Sequence, residues 1–252
     1  MIGILKQNVG EIPSLVVVDS EKQHSALPAV VYYHGITSAK EHNLPLAFLL
    51  AEKGYRVILP DSLYHGERQT NEIPDVRYYL FNIVIQNIKE LNEIKNDLEK
   101  QNLLLDGRIG VAGTSMGGIT TASALTQYPW IKAAAVLMGS PKITTFAREL
   151  VDVYVESGEL PLSEQEVKEL YDLLFTYDLS EQKEKLKDRP LLFWHGDHDQ
   201  TVPFDHSYSF YQQVKDHYTN EENLKFLREK NRDHKVSRFA ILETVKWFDS
   251  HL

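Results

Sequence analysis

Residues Ile109-Gly-Val-Ala-Gly-Thr-Ser-Met-Gly-Gly-Ile119 decide the fold class. The apolar run Ile109 to Ala112 reads as a buried strand. It passes directly into Gly113-Thr-Ser-Met-Gly117 and then into a helix-like segment from about Met116 to Gln127. Gly-x-Ser-x-Gly between a strand and a helix sets its serine on a sharp, strained turn, with glycines where strand and helix must pass closely. The Ser115 hydroxyl is then displayed at the carboxyl edge of a sheet. A glycine-rich turn without chemistry would satisfy the same pattern, so the motif needs partners elsewhere in the chain.

Working outward, the same strand–helix alternation recurs. Upstream, Val30 to Tyr33 reads as a buried strand ending in His34-Gly35. Asn43 is expected to cap a helix over Leu44 to Lys53, with Gly54 at its stop. Arg56 to Leu59 forms the next strand and ends at Pro60-Asp61. A long helix is expected from Asp75 to about Lys100, because Leu80, Ile83, Val84, Asn87, Ile88, Leu91, Ile94 and Leu98 recur at spacings of three and four. Downstream, strands are read at Ala133–Met138, Leu191–Trp194 and Leu224–Leu227, and a last helix from near Ser237 through Phe248. Ile2 to Val18 fits an antiparallel edge. The alternation predicts an α/β fold with a mostly parallel central sheet and helices on both faces, in one domain over residues 1–252.

One stretch breaks the rhythm. Glu149 to Asp188 is helical in pattern, Ser163-Glu-Gln-Glu166 has the form of a capping box, and 12 acidic residues stand against 4 basic ones. A helical cap inserted between two strands, at about 141–188, is the expectation, with its acids facing water.

Composition narrows the function classes. The chain has 252 residues, is 42% hydrophobic and 25% charged, and carries a net charge of -9. That balance suits a globular domain and disfavours nucleic acid, which demands a concentrated positive face. With no cysteine, disulfides, thiolate nucleophiles and cysteine-ligated zinc are excluded. The first twenty residues lack the basic and apolar regions of a signal peptide, and no apolar run approaches the ~20 residues of a membrane span. A cytoplasmic protein that meets no membrane is the expectation.

A serine hydroxyl attacks only when a neighbouring base takes its proton. Of 10 histidines, His234 lies between the last strand and the last helix, in the polar segment Asn231-Arg-Asp-His-Lys-Val-Ser237. The acid that orients it is expected after the strand Leu191–Trp194, where the chain reads His195-Gly-Asp-His-Asp-Gln-Thr-Val-Pro203. Asp199 is the first choice and Asp197 the alternative; Asp205 is assigned to the start of the following helix. Ser115, Asp199 and His234 then fall in the order Ser–Asp–His, each after a predicted strand.

On these segments, together with Tyr32-Tyr-His-Gly-Ile-Thr-Ser38 and Pro60-Asp-Ser-Leu-Tyr-His-Gly-Glu-Arg68, the chain resembles the α/β-hydrolase superfamily. The likeness is to its dienelactone-hydrolase-like and prolyl-oligopeptidase-like branch, and especially to small bacterial carboxylesterases. The resemblance spans almost the whole chain. It implies Ser115 as nucleophile, His234 as general base and then acid, and Asp199 as its orienter. It also implies the backbone N–H groups of Ile36 and Met116 as the oxyanion hole. Hydrolysis of small to medium uncharged carboxylic esters through an acyl-enzyme follows, with a small-molecule ester as partner and no cofactor or metal. The dienelactone reaction itself is not expected, because those enzymes use a cysteine.

Rival readings are a thioesterase, an aminopeptidase-type hydrolase on the same triad, and a catalytically silent fold that binds a ligand. His34 and His195, each in a His-Gly pair, are expected to brace loops, and His65 to pair with Glu67 and Arg68. A metal site built from His195, Asp197, His198 and Asp199 is disfavoured, since neighbours on a turn diverge. Phe146, Tyr154, Tyr171, Phe175 and Tyr177 in the cap are candidates to line a substrate cleft.

Overall fold

The computed structural model describes every residue except Pro74 and Pro161; Pro161, inside the expected cap, lies outside the described residues. The chain opens with a hairpin, β1 (Ile2–Val9) and β2 (Ile12–Asp19). Then follow β3 (Leu27–Tyr33), α1 (Leu44–Glu52), β4 (Arg56–Pro60), α2 (Leu80–Lys100), β5 (Leu104–Thr114), α3 (Met116–Gln127) and β6 (Ala133–Leu137). The last third runs α4 (Ile143–Ser157), α5 (Glu164–Phe175), β7 (Leu191–Gly196), α6 (Phe204–Val214), β8 (Leu224–Glu229) and α7 (Arg238–His251). The strands form one sheet of eight in the order β1-β2-β4-β3-β5-β6-β7-β8. Only the hairpin and its junction with β4 are antiparallel; β4 through β8 run parallel. Among the described residues no helix is long and apolar enough to cross a membrane.

Burial on both faces explains why the central strands are almost wholly apolar. Val31, Val111, Val136 and Phe193 point to the face covered by α2, α3 and α4. Val30, Ala112, Ala135 and Trp194 point to the face covered by α1 and α7. Gly110 is small for a specific reason: a Cβ there would lie 2.5 Å from the Phe248 ring of α7. Tyr55, which follows α1, donates its hydroxyl to the Phe248 carbonyl (2.8 Å), tying α7 to the early part of the chain. The stripe on α2 is buried as read. Its one polar member, Asn87, donates to Thr120 Oγ1 on α3 (3.3 Å), while its carbonyl accepts from Tyr33 (3.0 Å).

Several boundaries differ from the sequence reading, each for a local reason. Asn43 precedes α1 but makes no cap. A 3-10 turn over Lys40–Asn43 brings the chain in with Asn43 already at φ -99°, ψ 2°, not in the extended conformation a cap needs, and its Nδ2 donates back to Ala39 O (3.4 Å). Asp75 caps a 3-10 turn, Val76–Tyr79, by accepting from the Arg77 N–H (2.9 Å); α2 itself begins at Leu80. Strand β5 starts five residues earlier than the apolar run, because Asp106 and Gly107, both at positive φ, interrupt its pattern. The capping box at Ser163 is present in full.

Helices α4 and α5 occupy the insertion between β6 and β7. Phe146 of α4 meets Phe81 of α2 edge-on at 6.5 Å, and Tyr154 lies 5.1 Å from Tyr78, so the insertion sits on the α2 side of the sheet. Not every acid there faces water. Asp178 is buried; it accepts from the Thr144 N–H (2.9 Å) and from the N–H and hydroxyl of Ser180 (2.9 and 2.6 Å), pinning the insertion's exit to the start of α4.

Candidate active site

The turn after β5 holds Ser115 at φ 55°, ψ -114°, a conformation that costs a non-glycine residue on the order of 1–3 kcal/mol. Contacts on both sides enforce it. A Cβ at Gly113 would stand 2.4 Å from the Gly117 backbone, and one at Gly117 would stand 2.1 Å from Tyr33 O. The Ser115 N–H donates to Leu137 O and its carbonyl accepts from the Ile119 N–H, both at 2.9 Å.

The segment after β8 reaches the same rim. The Asp197 N–H donates to Glu229 O (3.1 Å) and the His198 N–H to Arg232 O (3.0 Å). Glu229 binds Trp194 Nε1 (3.1 Å) and the Ser237 hydroxyl (2.6 Å), while Ser237 accepts from the Ala240 N–H (3.0 Å) as the N-cap of α7. His234 is thereby carried to Ser115: its Nε2 lies 2.9 Å from Ser115 Oγ, and its Nδ1 lies 2.7 Å from Asp199 Oδ2. With Nδ1–H donating to the carboxylate, Nε2 is free to accept the serine proton.

Asp199 and Asp197, left as alternatives by the sequence, have different partners. Asp199 is buried and accepts from the Thr201 and Val202 N–H groups on its other oxygen (2.9 and 3.0 Å). His195 Nε2 stands 3.2 Å from the same oxygen that meets His234. Burial alone would raise the Asp199 pKa, but hydrogen bonds from His195, His234 and the Val202 amide outweigh it and hold the carboxyl well below the usual range. Asp197 instead accepts from Arg228 (2.7 and 2.9 Å) and from the Asn231 N–H (2.6 Å), bracing the loop that carries His234.

Across the rim, Ile36 follows the strand-ending His34-Gly35, and Thr37 turns back at φ 60°. Met116 opens α3, where a first-turn N–H has no acceptor within its helix. Among the described residues neither amide is taken by a loop or cap hydrogen bond. Two histidines fasten this loop. His34 donates through Nδ1 to Gly35 O (2.8 Å) and accepts from the Ser62 N–H at Nε2 (3.1 Å). His65 donates through Nδ1 to Leu63 O (2.8 Å) and accepts from the Thr37 N–H at Nε2 (3.1 Å). Both rings must be neutral to accept, and burial lowers both pKa values, that of His34 to about 4.

His34 and His195 brace loops as expected, but His65 has neither expected partner: Glu67 binds Lys40 (2.7 Å) and Lys6 (3.0 Å), and Arg68 forms a two-pronged pair with Glu90 (2.7 and 2.8 Å). Lys40 is the residue the sequence reading missed. It is 1% exposed, is hydrogen-bonded to the fully buried Asp61 as well as to Glu67, and joins the Ile36 loop to the one after β4. A lysine in a polar, turn-like segment carries no sequence signal of burial.

The cap aromatics have different settings, with Tyr154 lying against Tyr78. Phe146 is core, and Tyr171 lies under Arg148 at 5.4 Å; Tyr177 packs half-buried against the core, and Phe175 is 53% exposed.

Comparison with known proteins gives the family. Residues 86–252 match the prolyl oligopeptidase family. The chain belongs to that family. It is 47% identical, over the full length of both chains, to the Bacillus subtilis (strain 168) protein named "Putative esterase YitV". It is 30% identical, again over both full lengths, to "Esterase YjfP" of Escherichia coli (strain K12). Among solved structures, TT1662 from Thermus thermophilus superposes with a TM-score of 0.75 at 18% identity, covering 99% of this chain and 98% of that one. Esterase Pf2001 of Pyrococcus furiosus gives 0.68 at 15% identity, covering 100% and 93%. The two structures share the α/β-hydrolase fold with this chain.

Proposed function

We propose that the protein is a serine hydrolase that cleaves carboxylic esters through an acyl-enzyme. The observation that carries this reading is the unbroken hydrogen-bonded line Ser115 Oγ–His234 Nε2, His234 Nδ1–Asp199 Oδ2. In acylation His234 takes the serine proton as Oγ bonds to the ester carbon. The oxygen gains charge, and the Ile36 and Met116 amides are its donors. His234 then gives the proton to the departing alcohol, and in the second half activates water to release the acid. Asp199 steadies the imidazolium at each stage. Two full-length relatives with esterase in their names support the same reading.

We assign the acyl group, small to medium and uncharged, to the side of the cap, where Phe146, Tyr154, Tyr171, Phe175 and Tyr177 are the rings to replace. Unchanged chain-length preference after alanine substitution of all five counts against that assignment. A cytoplasmic setting is part of the proposal, and the cysteine-free composition is compatible with it.

The test is an ester panel of graded acyl length on the wild type and on Ser115→Ala. Loss of the nucleophile should lower kcat by about 10⁵-fold or more; retained turnover overturns the mechanism. The match to the prolyl oligopeptidase family also favours an amide-cleaving reading. A peptide anilide hydrolysed faster than the matched ester would select it.

A further inference from the structure

A cavity of about 440 Å³ reaches His234 from the face of the sheet opposite the cap. Its walls include Thr114, the residue before the nucleophile, and three consecutive residues of the catalytic loop, His234, Lys235 and Val236. Leu46 of α1 and Ile241 of α7 close its sides. In its lining the Tyr32 and Thr114 hydroxyls are hydrogen-bonded to each other. Met138, just past β6, completes the wall at φ 42°, a strained conformation fixed by its N–H donating to Trp194 O (2.8 Å). The size falls within the range of small-molecule sites, which run from about 300 to 1,000 Å³; Ser38, His42 and Asn43 also line it, so apolar and polar side chains share the wall.

Resting on the esterase reading, we propose that this cavity is the leaving-group subsite, shaped for a bulky, uncharged alcohol such as a cycloalkyl or aryl carbinol. The chemistry dictates which half of the ester comes here. When the tetrahedral adduct collapses, the bond from the ester carbon to the alcohol oxygen breaks, and that oxygen takes its proton from His234 Nε2. The alcohol oxygen therefore lies beside the imidazole, and its substituent extends along the loop that bears it. Val236 and Lys235 follow His234 directly into the cavity wall. The acyl chain is left with the other face, where α4 packs on α2. Charge selects further. The lining holds one formally charged side chain, Lys235, and no carboxylate, so a cationic alcohol finds no counter-charge. The Tyr32–Thr114 pair offers a polar contact to an ether or hydroxyl on the ring.

The experiment varies the alcohol at constant acyl group. Methyl acetate, cyclohexyl acetate and benzyl acetate are compared on the wild type, Ile241→Trp and Ile241→Ala, with thermal unfolding of each variant measured in parallel. In the wild type, kcat/KM for the two cyclic esters should exceed that for methyl acetate by at least tenfold. Ile241→Trp fills the cavity and should abolish that preference, lowering kcat/KM for the cyclic esters at least tenfold more than for methyl acetate. Ile241→Ala enlarges it and should raise kcat/KM for menthyl acetate, run beside the panel on this variant and the wild type, relative to cyclohexyl acetate. Hydrolysis of the common acetyl-enzyme, from which the alcohol has gone, should proceed at one rate in all three proteins. Equal losses on every alcohol, or a wild type indifferent to the alcohol, overturns the subsite. Failure of the esterase reading looks different: no ester turns over, and Ser115 takes up no fluorophosphonate.

Discussion

Asp197 and Asp199 stand two residues apart on one turn, and their hydrogen bonds give them separate tasks. Asp199 faces His234, whereas Asp197 holds Arg228 and the Asn231 amide. Asp199→Asn should therefore lower kcat by about 10⁴-fold with little change in KM, since an amide no longer fixes the tautomer or steadies the imidazolium. Asp197→Asn keeps an acceptor for the Asn231 amide and loses only a surface ion pair, so steady-state kinetics should show less than a tenfold change. His34 makes a prediction about stability. Its pKa is lowered from 6.5 to about 4, chiefly by burial. Between those values the unfolded chain binds a proton that the folded one refuses. Stability is thus complete above pH 6.5, falls as pH drops towards 4 and levels off below; the loss is at most about 3 kcal/mol. Denaturant midpoints at pH 7 and pH 4.5 should show this drop in the wild type and a smaller one in His34→Asn.

At the scale of elements, the apolar runs were legible because a parallel strand buried on both faces has no polar alternation to confuse its reading. The Gly113–Gly117 motif located the strained turn at Ser115, since no other residue leaves room for β3 and α3 to approach as they do. What stayed hidden depends on contacts between elements. Nothing near Asn43 signals that a preceding 3-10 turn removes its capping role, and nothing near Asp178 marks it off from the other acids of the cap. The choice between Asp197 and Asp199 likewise needed the course of the β8–α7 loop, which local sequence does not encode. Asp178 carries a prediction of its own. Asp178→Ala leaves three buried or half-buried donors around it without an acceptor, at roughly 1–3 kcal/mol each where water cannot replace it. Hydrogen exchange should accelerate first over α4 and α5, with β5 to β7 little affected; uniform acceleration would count against a local anchor.

The whole molecule assembles its candidate site from parts far apart in sequence: Ser115 and His234 are separated by 119 residues, and Tyr55 and Phe248 by 193. The imidazole arrives on the segment that leads into α7, and α7 is seated by Phe248 against Gly110 and by Tyr55 after α1. Each seat lies on the sheet face that the cap does not touch. During refolding, the sheet can gather and Trp130 can stack on Tyr128 before α7, which carries Trp247, is in place, but hydrolysis cannot. Stopped-flow fluorescence and turnover of a chromogenic ester, recorded together, should show activity lagging the first fluorescence change. A half-formed chain would thus be chemically mute, its nucleophile inert until the last helix locks.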